Sequence, residues 1–108
     1  MLNQIIIVGR ITSDPQINEV ENKKQCNITL AVPRLFKNEE GIYETDFIPC
    51  VLWNGVAENI IEYCKKGDIV GVKGRIQSRK ENDTNIIEII AEKVTFLSSS
   101  KQNQEEEN

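Results

Sequence analysis

Histidine is absent from the chain, and with it go the commonest general base, the Cys/His and Ser/His nucleophile pairings, and every mixed Cys/His zinc pattern. Cysteine is scarce and odd in number. Cys26, Cys50 and Cys64 are too widely spaced for the disulfide framework of a small secreted domain, so reduced, mostly buried thiols are expected. Long apolar runs are missing too: Ile5-Ile6-Ile7-Val8 is typical of the longest, and it is far too short to span a bilayer. Met1-Leu2-Asn3-Gln4 lacks the basic region of a secretory signal and the apolar stretch stops at Arg10, which points to a cytoplasmic protein. Asp46, Glu58, Glu62 and Asp68 are scattered carboxylates without the spacing of an acid/base pair. Neither an enzymatic activity nor a metal or other cofactor is expected.

What is present fits one globular domain. The chain has 108 residues, 39% of them hydrophobic and 28% charged, within the range that buries a real core and far from a disordered or membrane profile. The net charge of −4 works against a polyanionic partner. Part of it is terminal: taking away residues 101–108, with one Lys and three Glu, reduces 13 basic against 17 acidic residues to 12 against 14, or −2. A nucleic-acid reading therefore requires the basic residues to gather on one face.

Asn3 to Thr12 reads as the first strand, closed by the turn signal Ser13-Asp14-Pro15, with Gly9 marking a bulge or bend. After the polar stretch Glu19 to Gln25, alternation puts Cys26, Ile28, Leu30 and Val32 on one face of a second strand. A hairpin loop over Lys37-Asn38-Glu39-Glu40-Gly41 leads to a third strand, Tyr43 to Trp53. Asn54 caps a helix from Gly55 to Lys65, with Gly67 as its stop. Asp68 to Ile76 and Asn85 to Leu97 form the fourth and fifth strands, separated by the short turn Glu81-Asn82-Asp83-Thr84. The prediction is all-β: a five-stranded barrel of the OB type over residues 1–97, with one helix between strands three and four. Residues 98–108 are predicted to be a disordered acidic tail.

Within the third strand Ile48, Cys50 and Leu52 share one face, while Phe47, Pro49, Val51 and Trp53 share the other. Two apolar faces need two explanations. One is a barrel core on one side and a subunit interface on the other. The alternative is a platform on which bases stack, extended by Phe36 on the preceding hairpin. Cations are interleaved with these rings: Arg34 and Lys37 beside Phe36, Lys65 and Lys66 at the helix end, Lys73 and Arg75 in the fourth strand, and Arg79 and Lys80 beyond it. A groove holding several of them attracts phosphates whatever the base sequence.

Ile5-Ile6-Ile7-Val8-Gly9-Arg10-Ile11-Thr12-Ser13-Asp14-Pro15 resembles the opening of the bacterial single-stranded DNA-binding proteins. Asn27 to Val32 and Asp46 to Trp53 are similar to that family's second and third strands, Ala57 to Gly67 to its helix, and Val70 to Arg79 to its fourth strand. The likeness runs in order over residues 3–97. It implies a nucleoid-associated homotetramer that binds single-stranded DNA during replication, recombination and repair, with Phe36, Phe47 and Trp53 at stacking positions and Lys66 and Arg79 at phosphate-contacting positions. Arg34, Lys37, Lys73, Arg75 and Lys80 join the site from their location alone. The chain departs from the family in its shorter hairpin at residues 81–84, which lacks a stacking aromatic and weakens the basis for tetramer contacts. Its end, Gln104 to Asn108, is acidic without the family's Pro-Phe tip, so docking of replication and repair proteins through the tail is not expected. Two other readings remain at this point: an OB module for RNA or replication restart, and a structural subunit whose Phe47/Trp53 face is covered by a partner protein.

Overall fold

Strand alternation sets the barrel interior. Cys26, Ile28 and Leu30 turn inward from one strand, Cys50 and Leu52 from the next, and Val70 and Val72 from a third, all essentially inaccessible to solvent. The computed structural model describes residues 1–99, as β1 (Ile5–Ile11), β2 (Ile17–Val20), β3 (Lys23–Lys37), β4 (Tyr43–Trp53), α1 (Asn54–Tyr63), β5 (Ile69–Glu81) and β6 (Thr84–Ser98). The acidic tail placed at 98–108 lies outside the described residues, apart from Ser98, which closes β6, and Ser99.

The sheet runs β1-β5-β6-β4-β3-β2 and closes on itself where β1 meets β3, pairing Arg10 with Ala31 and Ile11 with Leu30. All neighbours are antiparallel except β4 and β6, whose short parallel contact pairs Cys50 with Ile89 and Val51 with Ile90. Five strands thus form an OB-type barrel, and α1 follows the third of them as the order predicted. Ala57 and Ile60 bury the inner face of α1 against the core. Among the described residues no helix is long and apolar enough to cross a membrane.

Four local readings are corrected. The polar stretch Glu19 to Gln25 is a hairpin rather than a loop: it holds the end of β2, a two-residue turn at Glu21 and Asn22, both with positive φ, and the start of β3, which pairs with β2. Asn54 does not cap α1: it lies inside the helix with φ +52, and its side-chain Oδ1 accepts the Lys24 N–H at 3.3 Å. The helix ends at Tyr63 rather than Lys65, and Gly67 lies beyond the end, donating its N–H to the Ile11 carbonyl at 2.8 Å. Gly9 is not at a bulge, because β1 pairs with β5 in unbroken register. It sits where β1 crosses β3, so close that a Cβ would come within 3.0 Å of Ala31 O, Leu30 Cβ and Val32 Cγ2.

β5 runs to Glu81, well past the predicted 68–76, whereas β6 agrees with the predicted 85–97 to one residue at each end. They form a continuous ribbon to Glu81 and Thr84, turning at Asn82 and Asp83. Positive φ at both turn residues matches the handedness of a two-residue hairpin, and Asn and Asp tolerate it better than most. The ribbon bends where β6 carries an extra residue between the partners of Lys73 and Gly74.

Candidate nucleic-acid interface

The outer face of β4 carries Phe47, Pro49, Val51 and Trp53. Phe47 is 64% exposed, opposite Ala31 of β3, whereas Trp53 is half-buried opposite Gln25. Phe36 is 83% exposed on the β3 arm of the β3–β4 hairpin, within the irregular stretch between Pro33 and Lys37, and lines a concavity with Pro33, Lys37 and Glu44. Three rings are thus on the surface, but at different places: Trp53 against the barrel wall, Phe47 mid-strand, Phe36 towards the hairpin tip.

On β5, alternation sends Val70, Val72 and Gly74 inward and Lys73, Arg75, Gln77 and Arg79 outward. Gln77 and Arg79 of this row meet Trp53, whereas Lys73 and Arg75 lie outside the groove. A groove of about 250 Å³ is lined by Trp53, Val51, Gln25, Asn27, Gln77, Arg79, Glu88 and Ile90. Asn27 also lines a second, polar concavity with Ser13, Asp14, Asn18 and Lys66, so the two share a wall. Trp53, Arg79 and Lys66 therefore lie along one path. Lys80 does not join it, since alternation turns it to the other face of the ribbon from Arg79.

The arginines and lysines differ in how they are held. Arg34 grips Asp46 through Nε and Nη2 and Glu44 through Nη1, at 2.7–3.2 Å. The hydrogen bond from Arg34 holds the Asp46 carboxyl below its ordinary range. Arg79 is bound to Glu81 at 2.8 Å and to Glu88 at 3.1 Å, and both contacts, the Glu81 hydrogen bond first, raise its pKa further. Arg75 donates to Gln77 Oε1 at 2.7 Å. Lys37 stands 5.6 Å from the centre of the Tyr43 ring. Lys66, Lys73 and Lys80 have no carboxylate partner among the described residues. The turn carrying Lys66 is itself fixed: Asp14 accepts the Lys66 N–H at 2.8 Å and Asp68 accepts the Lys65 N–H at 2.9 Å.

The thiols are placed for packing. Cys26 and Cys50 are buried, Cys64 is half-buried, and none is bonded to another. Burial pushes the Cys50 thiol up to about 12 and raises those of Cys26 and Cys64, the opposite of what activates a nucleophile. Among the described residues no group of three His, Cys, Asp or Glu is arranged to hold a metal ion.

The model of the single-strand binding protein family matches residues 2–97, nearly all of the described chain. The chain belongs to this family. Among its relatives is single-stranded DNA-binding protein 1 of Clostridium acetobutylicum, 41% identical over 94% of this chain and 98% of the relative. Another is the single-stranded DNA-binding protein of Halalkalibacterium halodurans, 45% identical over 90% of this chain but only 61% of the relative's length. The Plasmodium falciparum SSB in its complex with ssDNA shares the fold at a TM-score of 0.80, with 25% identity over 91% of this chain and 96% of that one. Membership places the chain among binding proteins rather than enzymes.

In this family member the sequence reading missed the polar half of the groove. Gln25, Asn27, Gln77 and Glu88 stand beside Trp53. Gln77 was the most accessible of them to sequence reasoning, because it shares the parity of Arg75. Glu88 interrupts an isoleucine-rich run and reads as a solvated charge, yet it is 8% exposed.

Proposed function

We propose that the chain binds single-stranded DNA without strong sequence preference, by base stacking on Phe36, Phe47 and Trp53 and phosphate contacts from Lys66, Lys73, Arg75 and Arg79. Arg34, Lys37 and Lys80 are secondary contacts on the two hairpins. Such binding protects exposed strands during replication, recombination and repair, on nucleoid DNA. The observation that carries this reading is the continuous path from Trp53 and Arg79, past Asn27, to Lys66. A half-buried indole against a cationic row suits a base and its phosphate at once, and stacking on such a ring is worth roughly 1–3 kcal/mol per base.

The chain acts, on this reading, as a homotetramer. Support comes from the outer face of β1 and its neighbours, where Ile6 is 71% and Val8 51% exposed, with Leu97 beside Val8 across Gly71. A bare aliphatic patch on a strand with an open edge suits pairing with a second copy. The test is a titration with oligo(dT) read by the emission of Trp53, the only tryptophan, together with the assembly mass. Quenching that saturates, with little competition from duplex, supports the function. Equal affinity for duplex and single strand refutes it, and a monomeric mass refutes the assembly.

A further inference from the structure

Glu88 is the carboxylate that lines the groove beside Trp53, its side chain only 10% exposed. Its Oε1 accepts from Arg79 Nε at 3.1 Å, but Oε2 has no donor among the described residues. A buried carboxylate oxygen without a donor is costly to leave so. Around it the amide groups have donors to spare. Gln77 uses its Oε1 to accept from Arg75, and Gln25 uses its Oε1 to accept from Asn27 at 3.4 Å, and neither Nε2 group has an acceptor among the described residues.

We propose that this groove reads the base stacked on Trp53, with Glu88 Oε2 accepting from an exocyclic amino group and a neighbouring Gln amide donating to the adjacent ring nitrogen or carbonyl. The proposal rests on single-stranded DNA being the ligand, and adds a preference at one subsite to binding that is otherwise indifferent to sequence. Cytosine, adenine and guanine carry such an amino group. Thymine offers only a ring N–H, flanked on both sides by carbonyl oxygens that turn like partial charge towards the carboxylate. The arrangement follows the general pairing of acidic side chains with the cytosine amino group. Arg79 is then a positioning residue as well as a cation: by holding Oε1 it aims Oε2 at the base.

Oligo(dC) and oligo(dU) of equal length isolate the effect, because the two bases differ in the amino or oxo group at one ring position and its protonation partner. The parent should bind oligo(dC) about tenfold more tightly per seated base, the scale of one hydrogen bond to a charged acceptor. Glu88→Gln should erase or reverse the ratio, since the Gln oxygen stays on Arg79 and an N–H donor replaces Oε2, matching the uracil carbonyl. Equal affinity of the parent for both oligomers overturns the proposal, and does so even where the variant fails to fold. An unchanged ratio in a folded Glu88→Gln variant overturns it equally. Failure of the parent to bind either oligomer overturns the single-strand reading itself, and this one with it.

Discussion

Gly74→Ala tests how the fold positions the interface. Gly74 is buried in β5 beside the bulge in β6, and a Cβ there would lie 2.1 Å from Ile90 O, 3.0 Å from Ile90 C and 3.1 Å from Ala91 Cα. All three are backbone atoms within the β5–β6 pairing, so no side chain can swing aside to relieve the clash. The ribbon has to open by more than an ångström. Overpacking of this kind costs about 1–3 kcal/mol, and a ladder hydrogen bond lost with it about 1 more. A total near 3 kcal/mol lowers the melting temperature of a domain this size by roughly 12–24 °C. Gly55→Ala is the matched control. Gly55 lies in α1 with nothing within 4 Å of the added Cβ, so the same change stabilises by about 0.5–1 kcal/mol. Calorimetry of parent and both variants gives opposite signs if the geometry is right. A Gly74→Ala variant melting within about 4 °C of the parent refutes the reasoning. Because Arg75, Gln77 and Arg79 follow Gly74 on the same strand, a folded variant should also bind oligo(dT) more weakly at a temperature well below its transition.

Trp53→Ala should weaken oligo(dT) binding by roughly 1–3 kcal/mol while leaving the circular dichroism unchanged; a folded variant with parental affinity assigns the ring to packing. The log of affinity should fall linearly with the log of salt concentration, and Arg79→Ala should make the slope shallower by about 0.7, the value for one phosphate on a single strand. Lys23→Ala, at the exposed start of β3, should leave the slope alone, and equal slopes for the parent and Arg79→Ala remove Arg79 from the path. Stability should decline at alkaline pH through Cys50. Its folded thiol, at about 12, is raised above the ordinary 9.0, so the contribution is complete below the unfolded value and is lost as pH rises from there towards 12. Urea unfolding at about pH 8 and about pH 10.5 should show a smaller decline for Cys50→Val than for the parent.

The barrel was legible because its inner faces alternate cleanly. Cys26-Asn27-Ile28-Thr29-Leu30 and Ile48-Pro49-Cys50-Val51-Leu52 fix both the strand identity and the inward side; β3 follows the pattern throughout, while in β4 Cys50 and Leu52 are buried, Ile48 is half-buried and outward Val51 is buried as well. What escaped has no such pattern. Residues 77–81 of the ribbon are polar on both faces, so pairing with β6, rather than burial, makes them a strand. The start of the second hairpin strand was hidden because Glu21 and Asn22 form a turn without glycine, in a conformation uncommon for Glu. An Asn directly before a helical pattern reads as a cap, but Asn54 bonds instead to Lys24, which is distant in sequence. The rings and cations of the candidate site are readable in the sequence. Their grouping is not, because it depends on the β5–β6 register, which places Arg79 opposite Ile86 and so diagonal to Glu88.

The acidic sum of the chain is compatible with a strand-binding face once the charges are sorted by partner. Arg34 and Arg79 are each held by two carboxylates, so four of the acidic residues, Glu44, Asp46, Glu81 and Glu88, are spent on orienting guanidinium groups rather than left to repel a phosphate. Each such arginine keeps N–H groups pointing away from its clamp, because a guanidinium has five donors in a fixed fork. Lys66 and Lys73 have no carboxylate partner among the described residues and are left as separate point charges. On the proposed DNA path the two kinds of cation would do different work. Clamped Arg79, beside Trp53, would fix where the strand runs, and Lys66 and Lys73 would follow the phosphates wherever the bases settle. Fixed direction from a few residues and tolerant charge from others is what binding across many base sequences requires. It also explains why net charge alone is a poor guide here: a carboxylate that orients an arginine at the edge of the groove counts against the polyanion in the sum, yet favours it in the site.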